Sequence, residues 1–231
     1  MNEVFDMHQG LTGALRDRNL AWDFLKEFAA YWGRPLRPGD GYAAEELAAA
    51  EQRLGTALPT ALREAYLLFG RRTDLTSNHD TLLLGPDALY VQDGALVYRA
   101  ENQGAAFWGV LLTDLGQDDP ATVMRPDLAD KSQERWEPWE PSLSSACVSM
   151  VMSELLQLDD GLTDHAELDA GDLGQVDLLR ELPRVGRELR WLSGPDVLLR
   201  EVDDWFLDVR ARTKEALDAV REAIPVDWLN G

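Results

Sequence analysis

The chain has 231 residues, 45% of them hydrophobic, and its 42 acidic residues against 22 basic residues give a formal net charge of −20. This composition is typical of a folded protein rather than a disordered one. The charge disfavours direct binding to nucleic acid or to an anionic membrane surface and would attract a basic protein partner, although solubility alone also accounts for it.

The cysteine content and the lack of long apolar runs indicate where in the cell the protein is expected. Cys147 is the single cysteine of the sequence, so an internal disulfide cannot form, which fits a reducing environment. The apolar runs stay well below the ~18 residues of a membrane span. The acidic start of the chain lacks the basic-then-apolar order of a signal peptide. We therefore expect a cytoplasmic protein with no membrane association.

The N-terminal part of the sequence predicts three helices. Apolar residues recur at helical spacing over residues 20–32, and a Gly- and Pro-rich stretch then ends that helix. Two further helices are predicted over residues 43–54 and 59–70, because Gly55 can end the first and Pro59 suits the first turn of the second.

Strand signals follow these helices. Two short apolar runs flank Asp93-Gly94, a residue pair that favours a type I′ hairpin turn. An apolar stretch over residues 143–158 is helical in spacing and predicts a buried helix. The predicted strands cover residues 82–84, 89–92, 95–99 and 108–113, with a short edge piece at residues 121–124.

The C-terminal part begins with an acidic, glycine-containing stretch at residues 159–177, which predicts a loop. Apolar residues then alternate on both sides of Asp203-Asp204, which predicts a second hairpin over residues 196–211. Thr213 can cap a final helix. The order of helices, strands, a helix, strands and a final helix predicts an α+β fold, in which helices cover one face of an antiparallel sheet.

Motifs of catalysis are missing from the sequence. It contains no Gly-x-Ser-x-Gly, no phosphate-binding glycine loop with a lysine, and no His-Glu-x-x-His. His8, His79 and His165 are far apart in the sequence and are predicted to be surface residues, and Cys147 is predicted to be a packed thiol. We therefore predict no catalytic residue, no cofactor and no enzyme activity.

Acidic clusters leave two alternatives open. The acids of residues 159–172 do not follow the spacing of an EF-hand, so a solvated loop is favoured over a metal site. The pairs Asp118-Asp119 and Asp203-Asp204 could serve acid–base catalysis, but turns explain aspartates at both positions. A hydrolase would require several carboxylates with perturbed pKa values in one pocket.

A stretch rich in tryptophan and glutamate is the candidate contact segment. Residues 134–141 contain two Trp, two Pro and three Glu, a composition unfavourable to a helix or a central strand. Aromatic residues on a stiff loop are good interface anchors, and flanking acids suit an Arg- or Lys-bearing partner. The alternative is that both tryptophans fold back over the core. The predicted contact residues are Asp118, Asp119, Glu134, Trp136, Glu137, Trp139 and Glu140.

One run of residues carries a family resemblance. The pattern Glu51-x-x-Leu54-Gly55-x-x-Leu58-Pro59-x-x-Leu62-x-x-x-Tyr66-x-x-x-Gly70 resembles the N-terminal signature of the SUKH superfamily. That superfamily includes the yeast regulator of cell-wall glucan synthesis and many bacterial immunity proteins. Shorter similarities follow in the same order, at Glu101-Asn102-Gln103, Trp108-Gly109-Val110, Asp118-Asp119-Pro120 with Val123, and Ala211–Leu217.

The resemblance implies a SUKH-like α+β domain with a curved antiparallel sheet over residues 41–231, preceded by an N-terminal helical extension at residues 1–40. Bacterial members of the superfamily often look like immunity proteins that bind a cognate toxin, frequently a nuclease. Together with the acidic charge, this predicts a cytoplasmic antitoxin that occludes a basic toxin domain. A regulatory or scaffold module of the same fold is the alternative, and a toxin gene next to this one would favour the antitoxin.

Overall fold

The computed structural model of the chain describes residues 5–78, 81–168, 179–187, 189–203 and 205–230. Across these ranges helices combine with sheets whose strands all pair antiparallel, which confirms the predicted α+β class. The described strands are divided between two sheets, whereas the sequence predicts one.

Two helices open the described chain, α1 (Met7–Ala14) and α2 (Arg18–Trp32). Asp6 caps α1 and Asp17 caps α2, because each carboxylate accepts backbone N–H bonds from the first turn. Helix α2 confirms the predicted amphipathic helix, whereas α1 was expected only as part of a helical extension. Their buried side chains belong to the same hydrophobic cluster as those of the following helices. The domain boundary at residue 40 remains a prediction.

The predicted pair of helices is confirmed, and one short helix follows it: α3 (Ala44–Leu54), α4 (Thr60–Phe69) and α5 (Thr73–Thr76). Gly55 ends α3 with φ of +70°, a left-handed conformation that glycine adopts without strain. Glu51 fixes the connection to α4, because its carboxylate accepts the Leu58 N–H at 2.9 Å and pairs with Arg63 at 2.6 Å.

Within the described ranges, the first sheet has six strands: β1 (Thr81–Leu83), β2 (Tyr90–Gln92), β3 (Ala95–Glu101), β4 (Ala106–Leu111), β5 (Val123–Pro126) and β6 (Glu137–Pro138). Their order is β1-β3-β4-β5-β6, with β2 also paired to β3. The β2–β3 hairpin turns at Asp93-Gly94, whose φ values of +46° and +81° fit the predicted type I′ turn. The piece expected at an edge is β5, which instead lies between β4 and β6.

The later strands form a second sheet: β7 (Thr163–Glu167), β8 (Arg180–Glu181), β9 (Leu189–Gly194), β10 (Val197–Val202) and β11 (Phe206–Ala211). Its order is β7-β11-β10-β9-β8, and the β10–β11 hairpin confirms the one predicted around Asp203. The expectation of a loop over residues 159–177 is wrong at β7, where Asp164 turns inward and is buried. Residues 169–178 and Asp204 lie outside the described ranges.

The remaining helices are α6 (Leu143–Leu156) and α7 (Lys214–Ala223). Helix α6 is buried on nearly its whole circumference, which explains its continuous apolar run, and it shares one cluster with Leu96 and Trp108 of the first sheet and Trp191 of the second. Helix α7 packs on the other face of the second sheet. Within the described ranges, none of the helices has the length and apolar composition needed to cross a membrane.

Candidate interaction surfaces

Both tryptophans of the predicted contact segment pack onto the first sheet. The Trp136 indole N–H donates to the Gln92 carbonyl at 3.2 Å. Gln92 is in β2, at one edge of the sheet, and Trp136 directly precedes β6, at the other edge. In a flat sheet, four strand-to-strand spacings would separate these edges by ~19 Å. The sheet is therefore strongly curved. Trp139 packs edge-on against Trp108, with 6.0 Å between ring centres.

These contacts favour the alternative in which the two tryptophans fold back over the core. Both residues are half-buried, so part of each ring remains open to solvent. That Trp136 and Trp139 also contact a partner remains a prediction.

Glu134 is directed into the protein. Its side chain is 5% exposed, pairs with Arg125 and Lys131, and accepts the Leu128 N–H at 2.9 Å. The hydrogen bonds from Lys131 and Leu128 hold the pKa of Glu134 below its usual range. This carboxylate therefore organises the loop that precedes β6.

Glu137 and Glu140 differ in their exposure. The Glu137 side chain is 41% exposed and pairs with Arg135 at 3.0 Å. Glu140 is buried, and burial raises the pKa of its carboxyl group, although the Gly186 N–H donates to it. Within the described ranges, the Oε1 atom of Glu140 has no hydrogen-bond partner. Glu137 is thus the more accessible of the two predicted contacts.

Asp118 and Asp119 hold the first turns of two different helices. The Asp118 carboxylate accepts the Thr60 hydroxyl at 2.6 Å, and its carbonyl accepts the Ala61 N–H of α4 at 2.8 Å. The Asp119 carboxylate accepts the Ser144 N–H of α6 at 2.8 Å and the Ser144 hydroxyl at 2.6 Å. Carboxylates at helix N-termini stabilise the helix through these bonds and its dipole. Asp118 remains exposed, whereas Asp119 is half-buried.

The structure presents a second aromatic and acidic surface that the sequence did not single out, at the tip of the β10–β11 hairpin. Trp205 there is 53% exposed and contacts Phe206, with 5.6 Å between ring centres. Beyond the free edge of β7, Trp228 bridges to Ala166, so the C-terminal residues extend the second sheet. We call this surface the Trp205 patch; it consists of His165, Glu167, Asp203, Trp205, Phe206, Asp227 and Leu229.

Within the described residues, the acids of the Trp205 patch form no ion pair. Asp227 and Glu167 lie next to the bridged pair Trp228–Ala166, so the antiparallel geometry is expected to bring them opposite each other, and Glu167 pairs with Phe206 of β11. In the described part of the chain neither Asp227, Glu167 nor Asp203 forms an ion pair or a side-chain hydrogen bond. The nearby arginines are already held by other acids: Arg221 pairs with Asp164 at 2.6 Å, and Arg200 with Asp208 at 2.6 Å.

Sequence reasoning missed this patch for two reasons. The pattern around Asp203-Asp204 predicts a hairpin turn and leaves acid–base catalysis as the alternative, but it does not give the exposure of Trp205. The proximity of Asp227 to Glu167 depends on the packing of residues 227–230 against β7. No local sequence pattern predicts this packing.

Two concave regions are candidate small-molecule sites. A cavity of about 170 Å³ lies under α7, with the apolar side chains of Val197, Val220 and Ile224 among its lining. Its volume is below the roughly 300–1,000 Å³ of most ligand pockets. A wider groove of about 980 Å³ runs between α1 and α2 and is lined in part by Asp23 and Glu27.

His8, His165, Cys147 and the other potential metal ligands lie in different parts of the described structure. Across the ranges that the structure describes, His, Cys, Asp and Glu side chains form no group of three or more able to hold a metal ion. Cys147 is a packed thiol as predicted, and burial raises its pKa to about 12. His165 belongs to the Trp205 patch and stacks on Phe206, His8 is half-buried in α1, and His79 lies outside the described residues.

Comparisons of the chain with models of protein families, with curated proteins and with solved structures found no match. The similarity to the SUKH superfamily therefore remains a resemblance carried by the residues quoted above.

Proposed function

We propose that the chain is a non-catalytic acidic binding protein that blocks a basic protein partner, in the manner of a SUKH-type immunity protein acting on a toxin domain in the cytoplasm. The observation that carries the proposal is the net charge of −20. Opposite charge accelerates the encounter of two proteins and disfavours wrong partners. An acidic surface can also occupy a basic groove that a nuclease uses to hold phosphates.

The ion pairs of the described residues support this proposal. Arginines such as Arg125, Arg210 and Arg221 are bound by carboxylates of the chain itself, whereas exposed acids such as Glu27 and Glu45 form no ion pair in the described ranges. The surplus acids are consequently available to a partner's basic side chains.

The test is binding to, and neutralisation of, the toxin domain encoded by a neighbouring gene. Co-expression with this protein is expected to restore growth, and the Kd of the purified complex is expected to rise about tenfold between low and physiological salt, because salt screens opposite charges. A complex without neutralisation would favour the regulatory or scaffold module. If the protein neither neutralises the toxin domain nor forms a salt-sensitive complex with it, the proposal is refuted.

A further inference from the structure

We infer that the Trp205 patch is the surface on which this protein binds an Arg- or Lys-bearing segment of a protein partner. The inference rests on the proposed function, since it assigns the contact surface of the acidic binding protein.

Strand pairing brings the patch together from three parts of the chain. Residues 227–229 lie along β7, where the Leu229 N–H donates to the His165 carbonyl at 2.9 Å. Strand β7 in turn pairs with β11. Asp227, Glu167 and Phe206 therefore form one row across the sheet, and Leu229 and His165 start the next row on the same face.

The charges of this row indicate that a cation is missing from it. Two carboxylates directly opposite each other on neighbouring strands, with Cα atoms about 5 Å apart, repel and destabilise the pair unless a cation lies between them. The bridge between Ala166 and Trp228 is expected to bring the adjacent Glu167 and Asp227 into this arrangement, and Asp203 at the hairpin tip is a third acid that forms no ion pair within the described residues. A guanidinium or ammonium group from a partner would relieve this repulsion.

The apolar part of the patch supplies the contact area. Trp205 is 53% exposed and Leu229 is 61% exposed. The Trp205 carbonyl accepts the Leu168 N–H at 2.7 Å and the Leu229 N–H donates to the His165 carbonyl at 2.9 Å, so the backbone that carries each side chain is already held before a partner covers it. The face of an indole ring also attracts Arg and Lys side chains through cation–π interaction. The Phe206 ring contacts the Trp205 indole in a tilted arrangement.

The same features argue against other occupants. Nucleic acid would place phosphates against Glu167, Asp203 and Asp227. A second copy of the chain would bring two surfaces of the same sign together in a protein of charge −20. A basic protein segment fits both the acidic row and the exposed indole.

The test is a titration of the ¹⁵N-labelled full chain with an arginine peptide of about nine residues, and with a glutamine peptide of the same length as a control. We expect the Trp205 indole and the Glu167 and Leu229 amides to shift with the arginine peptide alone. Trp205→Ala and the double variant Glu167→Gln/Asp227→Asn are expected to weaken binding about tenfold each.

The matched control is Glu27→Gln/Glu45→Gln, which removes two exposed and unpaired acids elsewhere and is expected to weaken binding less than about twofold. Asp227→Asn is also expected to raise the Tm by about 1–2 °C, because it ends the cross-strand repulsion. A raised Tm would show that this substitution weakens binding without unfolding the protein.

Four outcomes would overturn the inference. If the peptide binds elsewhere, or if the control variant weakens binding as much as the patch variant, the patch is refuted while the proposed function stands. Concentration-dependent dimerisation through Trp205, seen by sedimentation, would make a second copy the occupant. Absence of peptide binding anywhere would refute both the patch and the choice of a basic partner. Peptide binding at the patch without toxin neutralisation would refute the proposed function alone.

Discussion

At the scale of single residues, the neighbouring acids Asp118 and Asp119 differ in what they hold. Asp119 accepts two hydrogen bonds from Ser144, which is buried in the first turn of α6. Asp118 accepts the hydroxyl of Thr60 near the surface. Removal of Asp119 would leave a buried N–H without a partner, whereas water can replace Asp118.

We therefore expect Asp119→Ala to lower the free energy of unfolding by about 2 kcal/mol and Asp118→Ala to lower it by less than about 1 kcal/mol. Urea unfolding followed by circular dichroism measures both values, with an unchanged m-value as the control for the compactness of the unfolded state. Equal losses in the two variants would contradict the role of Asp119 in holding the first turn of α6.

The residues that carry the SUKH resemblance act inside the molecule. Tyr66 donates to the Leu84 carbonyl at 2.6 Å and so ties α4 to the end of β1. Gly70 ends α4 as the sequence predicts, but with an ordinary helical φ of −59°. A Cβ at Gly70 would lie 2.9 Å from the Tyr66 Cα. Glycine is needed there for close approach rather than for a left-handed turn.

At the scale of elements, β7, α7 and the C-terminal residues meet at one buried carboxylate. The Asp164 side chain is 0% exposed and accepts two hydrogen bonds from Arg221, at 2.6 and 2.8 Å. It also accepts the Asn230 N–H at 2.9 Å. Loss of this carboxylate would leave Arg221 without its shielded partner and the C-terminal residues without their anchor.

We expect Asp164→Ala to lower the free energy of unfolding by about 3 kcal/mol, the typical cost of breaking a buried ion pair from one side. Hydrogen exchange at the Leu229 amide should accelerate together with this loss. Asp218→Ala is the matched control, because it removes the exposed partner of Arg221 and should cost less than about 1 kcal/mol. Unchanged exchange at Leu229 in Asp164→Ala would show that the C-terminal residues are held by other contacts.

Elements with a local signal could be predicted from the sequence, and elements defined by distant pairing could not. The Asp93-Gly94 hairpin turn, the glycine after α3 and the apolar run of α6 each depend on residues close in the chain. Strand β7 was missed because Asp164 is polar and its burial depends on Arg221, which lies far away in the sequence. For the same reason, composition suggested Trp136 as a contact residue but gave no sign of its bond to Gln92 across the sheet.

At the scale of the whole molecule, two electrostatic effects of opposite sign compete. Salt weakens surface ion pairs such as Arg135–Glu137, each worth about 0–1 kcal/mol. Salt also screens the repulsion among the surplus carboxylates. Because acids exceed bases by 20 in a chain of 231 residues, we expect the repulsion to be the larger effect.

The Tm is therefore expected to rise by about 3 °C when the ionic strength increases from about 10 mM to about 200 mM near neutral pH. A variant that combines Glu27→Gln, Glu45→Gln, Glu167→Gln and Asp227→Asn removes four unpaired charges, so it should begin at a higher Tm and gain less from salt. Differential scanning calorimetry with sodium chloride and with choline chloride separates screening from binding of a particular cation. A Tm that falls with salt in both proteins would mean that ion pairs outweigh the repulsion, and that the acidic surplus is compensated within the fold.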